Sequence, residues 1–156
     1  MSYYLQQELD FIKRTKSIIN QYDSLSLFHG EKFEVTLLLN CFVGLLILPQ
    51  QQWFELLPDE IVNYTEWGIK EEDITFIKQS ETKSVKNVAT HLRNSISHYR
   101  FLAFKDESNE ISHVKFEDFD VKRKTKTFEA KIDINSVRFF VTHLSDTLIE
   151  KITSTK

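Results

Sequence analysis

The sequence predicts a mainly α fold, a helical bundle with a small antiparallel β-sheet inserted before the last helix. Three observations carry that expectation. Apolar residues recur at helical spacing over four long segments, the period turns toward alternation between residues 100 and 132, and only three glycines and two prolines punctuate the 156 residues. No Ser/Gly-rich linker and no internal repeat divides the chain, so residues 1–156 read as a single domain.

A first helix is expected over residues 3–22, where Leu5, Leu9, Ile12, Ile19 and Tyr22 share a face. Gly30 precedes a second over residues 31–48, which Pro49 stops because proline disfavours helical geometry in the residue before it. Along it Thr36, Asn40 and Gly44 recur every four residues, a stripe of small side chains where another helix can approach closely. Short helical turns are expected over residues 53–77, and a further helix over residues 82–99. Strands follow at residues 100–105, 111–119 and 122–132, the first two joined by the polar turn DESN. Helical spacing returns over residues 134–152 through Val137, Val141, Leu144, Leu148 and Ile152.

Composition excludes several classes of protein. With 41% hydrophobic residues and thirteen phenylalanines, the chain is neither disordered nor in need of disulfide or metal staples. Cys41 is the single cysteine, which points to a reducing compartment, and the opening MSYYLQQELD lacks the basic and apolar regions of a secretory signal. The longest apolar run, VTLLLNCFVGLLIL, has only 14 residues and contains Thr36 and Asn40, short of a membrane span. A cytoplasmic protein with no membrane partner is expected.

The net charge of -3 conceals an uneven distribution. Residues 82–105 hold Lys83, Lys86, Arg93, Arg100 and Lys105 with two histidines and no acid, whereas acidic clusters lie on both sides. Such a patch suits an anionic partner, although an ordinary solvated surface explains it equally well. At its centre stands HLRNSISHYRF, residues 91–101. On a helical wheel Val85, Val88, Ala89, Leu92, Ile96 and Tyr99 form the core stripe, while Arg93, Asn94, Ser97 and His98 gather on the opposite face.

The segment RNSISH, residues 93–98, resembles the arginine, polar residue, spacer and histidine signature of the HEPN superfamily of small helical nucleotide-binding and ribonuclease domains. The run LLLNCFVGLLILP, residues 37–49, with the late sheet and final helix, is similar to small prokaryotic HEPN proteins. The resemblance implies a HEPN-like bundle and a homodimeric, metal-independent endoribonuclease, with no cofactor, in a toxin–antitoxin or antiviral abortive-infection role. An antitoxin protein is then a further partner. Some HEPN toxins carry a tyrosine two residues after the histidine; here Arg100 holds that position and Tyr99 directly follows His98.

The residue types suit that chemistry. Cleavage through the 2'-hydroxyl needs a base, an acid and positive charge at the phosphorus. Histidine serves both proton transfers and arginine offers a planar, permanently charged fork. Arg93, His98 and Asn94 are the expected catalytic group, with Lys86, Ser97, Arg100 and Lys105 expected to bind RNA. A second Arg-x4-His copy, RFFVTH at residues 138–143, has the same spacing but places Phe139 where the signature wants a polar residue, and reads as a decoy. The competing readings are a non-catalytic RNA-, nucleotide- or protein-binding module, and a metal site on His91 and His98, which no second ligand pair completes. His29 and His113 read as surface residues, Trp53 and Trp67 as core or rim aromatics, and the run KRKTK as an RNA track or a lysine-guarded edge strand.

Overall fold

The computed structural model describes residues 7–24, 34–47, 54–77, 80–108, 110–120, 122 and 124–154. Among these, α1 (Gln7–Asp23), α2 (Glu34–Ile47), α3 (Tyr64–Trp67), α4 (Val85–Ser97) and α5 (Ile134–Ser154) are α-helices. The strands are β1 (Ile74–Phe76), β2 (Phe101–Lys105), β3 (Ile111–Asp120) and β4 (Thr125–Asp133), and a 3-10 turn at Glu71–Asp73 leads into β1. The expected front of the first helix at Leu5, the Pro49 stop, Gly30, His29 and Trp53 lie outside the described residues.

The sheet overturns the expectation of a mainly α bundle with one small insert. All four strands are antiparallel, in the order β1-β4-β3-β2, so the architecture is mixed α and β. β1 precedes α4 in the chain and comes from a segment expected to hold only helical turns. Three residues, Ile-Thr-Phe, are too few to display an alternation. They become a strand because Ile74 and Phe76 pair with Ala130 and Phe128 of β4. That pairing makes β4 an interior strand, and KRKTK is no guarded edge: Lys122 and Lys124 stand exposed in the β3–β4 turn.

The core lies between the helices and the inner face of this sheet. Val114 and Phe116 of β3 and Phe128, Ala130 and Ile132 of β4 alternate inward against buried Phe42, Leu92, Phe140 and Leu144. All five apolar positions expected along the last helix are buried, and Asp133 caps that helix by accepting from the N–H groups of Asn135 and Ser136. The small-residue stripe works at one point. A Cβ on Gly44 would lie 2.8 Å from Cε1 of Phe11, so α1 crosses α2 there, whereas Thr36 and Asn40 are exposed. Trp67 is buried and donates through Nε1 to Glu60 at 2.7 Å. His113 is half-buried beside the Ser112 hydroxyl.

Candidate functional site

Helix α4 starts where Ser84 accepts from the N–H of Asn87 and buries Val85, Val88, Ala89, Leu92, Ser95 and Ile96. No glycine ends it. His98 occupies the C-cap with φ -102°, and Tyr99 takes the left-handed conformation at φ 55°. The N–H of Arg100 then bonds Ser95 O at 2.7 Å and its carbonyl accepts from Glu117, so the chain turns straight into β2. Tyr99 therefore leaves the core stripe on which the wheel put it: it is 83% exposed, its ring 5.0 Å from that of Phe101.

The motif side chains divide between the two flanks of α4. Arg93 is half-buried with its guanidinium 5.0 Å from the Phe54 ring centroid. Asn94 leans toward the sheet and donates from Nδ2 to Oδ2 of Asp118 at 2.9 Å. His98 is exposed at the helix end, and Ser97 bonds back to the carbonyl of Arg93. Asp118 is the inward residue after Val114 and Phe116 on β3, beside the register shift to Phe119, and is itself buried. Its Oδ2 also meets Nδ1 of His91 at 2.8 Å, while Nε2 of His91 meets Oε2 of Glu81 at 2.9 Å.

This cluster sets its own charge. Burial pulls the His91 pKa down, but hydrogen bonds and attraction from Asp118 and Glu81 outweigh it and hold the imidazole above its ordinary value. For Asp118 burial pushes upward, and the bonds from His91, Asn94 and the Phe119 N–H leave the carboxyl below its usual range. The His91 ring is stacked 4.8 Å from Phe128 and edge-on to Phe76 at 5.1 Å. With both ring nitrogens facing carboxylates, His91 does not present a ligand to a metal shared with His98, and no group of three His, Cys, Asp or Glu among the described residues is placed to hold a metal.

The HEPN pEK499 p136 family model matches residues 1–155. The chain belongs to the HEPN superfamily. No curated protein and no solved structure matches it.

The HEPN fold brings together only some of the expected RNA-binding residues. Arg100 is half-buried with its guanidinium 4.9 Å from the Phe119 ring and Nη1 3.8 Å from Oδ1 of Asp118. It borders an open depression of about 420 Å³ lined also by Phe119, Asp120 and Lys124. Ser97 stands next to His98. Lys86 lies at the opposite end of α4, roughly 18 Å from His98 along the axis, and is paired with Glu55 at 2.5 Å. Lys105 sits at the far end of β2 from Arg100.

Asp118 and Glu81 are the site residues that sequence reasoning passed over. For Asp118 a signal existed: the alternation that sends Val114 and Phe116 inward places it inward too, and a buried carboxylate requires donors. Glu81 carried none, because only the tertiary fold brings it to His91. Among the described residues no helix is long and apolar enough to cross a membrane.

Proposed function

We propose that this HEPN domain is an endoribonuclease that cuts RNA without a metal. The 2'-oxygen attacks the adjacent phosphorus, the bond from phosphorus to the 5'-oxygen breaks, and the products end in a 2',3'-cyclic phosphate and a 5'-hydroxyl. A base takes the 2'-hydroxyl proton, an acid supplies one to the leaving 5'-oxygen, and arginine offsets charge on the phosphoryl oxygens. The observation that carries this reading is the exposed imidazole of His98 at the free end of the motif helix, in a chain of HEPN type. Arg93 and Asn94 lie one turn behind it, and Arg100 with the neighbouring depression offers a path for the phosphate backbone. One chain supplies one His98, and two proton transfers are needed. A homodimer with the two α4 ends facing one another meets that requirement. Such an activity fits a cytoplasmic toxin or antiviral effector held in check by an antitoxin protein.

A second reading has its own observation. Arg93 rests over Phe54 and Asn94 is bound to Asp118, so two of the three motif residues serve the fold as well. This favours a HEPN module that binds RNA, nucleotide or protein without cutting. Purified protein incubated with single-stranded RNA in excess EDTA separates the two. The expected result is cleavage to cyclic-phosphate ends, blocked by a 2'-deoxy residue at the scissile position; RNA retention without cleavage selects the binding module, and cleavage that requires added divalent ion overturns the mechanism.

A further inference from the structure

Asp118 is a buried carboxylate that the cleavage scheme leaves unused. Its Oδ2 accepts from Nδ2 of Asn94 at 2.9 Å and from Nδ1 of His91 at 2.8 Å. Its Oδ1 accepts the N–H of Phe119 at 2.8 Å and lies 3.8 Å from Nη1 of Arg100. One carboxylate on β3 thus holds a motif residue on α4 by a hydrogen bond and faces, across 3.8 Å, the cation at the entrance to β2.

An ionised carboxylate only accepts hydrogen bonds. It therefore decides which end of the Asn94 amide turns toward it: the nitrogen faces Asp118, and the carbonyl Oδ1 is left facing away from it. We propose that Asp118 is a positioning residue for the motif, fixing Asn94 as a hydrogen-bond acceptor at the site and holding Arg100 beside it. The proposal rests on the ribonuclease reading for its consequence in catalysis. An acceptor one turn below His98 suits a hydroxyl or an imidazolium N–H, and it repels phosphoryl oxygens. Asn94 thereby belongs with the 2'-hydroxyl and the histidine, while phosphate falls to the arginines.

The surroundings of His91 balance the charge of this carboxylate. Glu81 faces it from the turn before α4 and Asp118 from β3, Phe76 of β1 and Phe128 of β4 enclose the ring, and Arg100 reaches the other oxygen of Asp118. As an imidazolium, His91 donates to both carboxylates, and with Arg100 the cluster balances two positive against two negative charges. A neutral imidazole keeps one N–H, so one carboxylate loses its donor.

The test uses the full chain, labelled for NMR. The side-chain amide of Asn94 is expected to exchange with solvent well below the rate of a free asparagine amide at the same pH, as its bond to Asp118 requires. Folded Asp118→Asn should lose that protection, and its kcat for single-stranded RNA should fall about tenfold or more with KM within about twofold, as expected when geometry rather than binding is lost. Glu117→Gln, on the same strand but on the outer face, should change neither. Unaltered Asn94 exchange in folded Asp118→Asn overturns the proposal, and so does exchange in the natural protein at the rate of a free asparagine amide. If Asp118→Asn does not fold, the protection of the Asn94 amide in the natural protein decides alone. Protection as expected in a protein that cuts no RNA supports the fixed amide and overturns the ribonuclease reading instead.

Discussion

Two segments of this HEPN domain carry the same spacing of arginine and histidine, and the fold treats them oppositely. In the second copy His143 lies inside α5, half-buried, with its ring 4.5 Å from that of Trp67. Phe139, which stands in the polar position of the motif, closes over Gly68, where a Cβ would lie 2.7 Å from Phe139 Cδ1. In the first copy the helix ends at the histidine, so His98 keeps a solvent-facing imidazole. Spacing fixes the angle between two side chains on a helix and nothing more. What separates the copies is where the helix stops and which face the sheet covers.

Exchanging the two histidines for alanine breaks the comparison most directly. His98→Ala is expected to lower RNA cleavage by roughly 10³-fold, the size of effect typical of a lost general acid or base, with little change in thermal midpoint. His143→Ala should leave cleavage per folded molecule near that of the natural protein and cost stability by about 1 kcal/mol through the lost contact with Trp67. Parallel assays of cleavage and urea denaturation read both quantities. Equal loss of cleavage from the two variants in folded protein would show that the site was assigned to the wrong copy.

A smaller effect is expected beside the second copy. Gly68 closes α3 at φ 72° and packs on Phe139, so Gly68→Ala should cost about 2 kcal/mol from left-handed strain and the displaced ring. Cleavage by the folded fraction should not change. A Gly68→Ala protein of undiminished urea midpoint would mean that Phe139 does not hold this corner, and would weaken the structural role given to the second copy.

The smallest effect concerns pH. The His91 pKa is raised in the folded protein, so the stability it contributes is whole below the unfolded value of about 6.5 and is lost as pH rises through the folded value. The Asp118 pKa is lowered, so its contribution is whole above about 3.9 and is lost as pH falls through the folded value. Urea midpoints should therefore decline from about pH 6.5 upward in the natural protein, and that part of the decline should vanish in His91→Gln. A midpoint that is level over this range in both proteins would show that folding does not raise the His91 pKa.

Much of this was legible in the residues, for identifiable reasons. The last helix could be read because five apolar side chains repeat at one angle, and β3 and β4 because the alternation runs long enough to show its period. β1 was invisible since three residues have no period. The end of α4 was hidden because Tyr99, rather than a glycine, takes the left-handed position, so the wheel continued two residues past the real helix and made a surface tyrosine look buried. Of the candidate site, the shared helix of Arg93, Asn94 and His98 could be read in advance. The division of Arg93 toward Phe54 and Asn94 toward Asp118 depends on contacts between segments far apart in the chain, which no local pattern encodes.

The reversal at Tyr99 has a consequence for recognising similar chains. Only Tyr99 and Arg100 stand between His98 and the first residue of β2, so the reach from histidine to sheet is set by chain length and not by how a loop settles. One inserted residue would carry the imidazole off this joint while leaving the Arg-x4-His spacing intact. The interval that distinguishes the first copy from the second thus runs forward, from the histidine to a strand whose neighbour bears an inward aspartate, and not backward to the arginine.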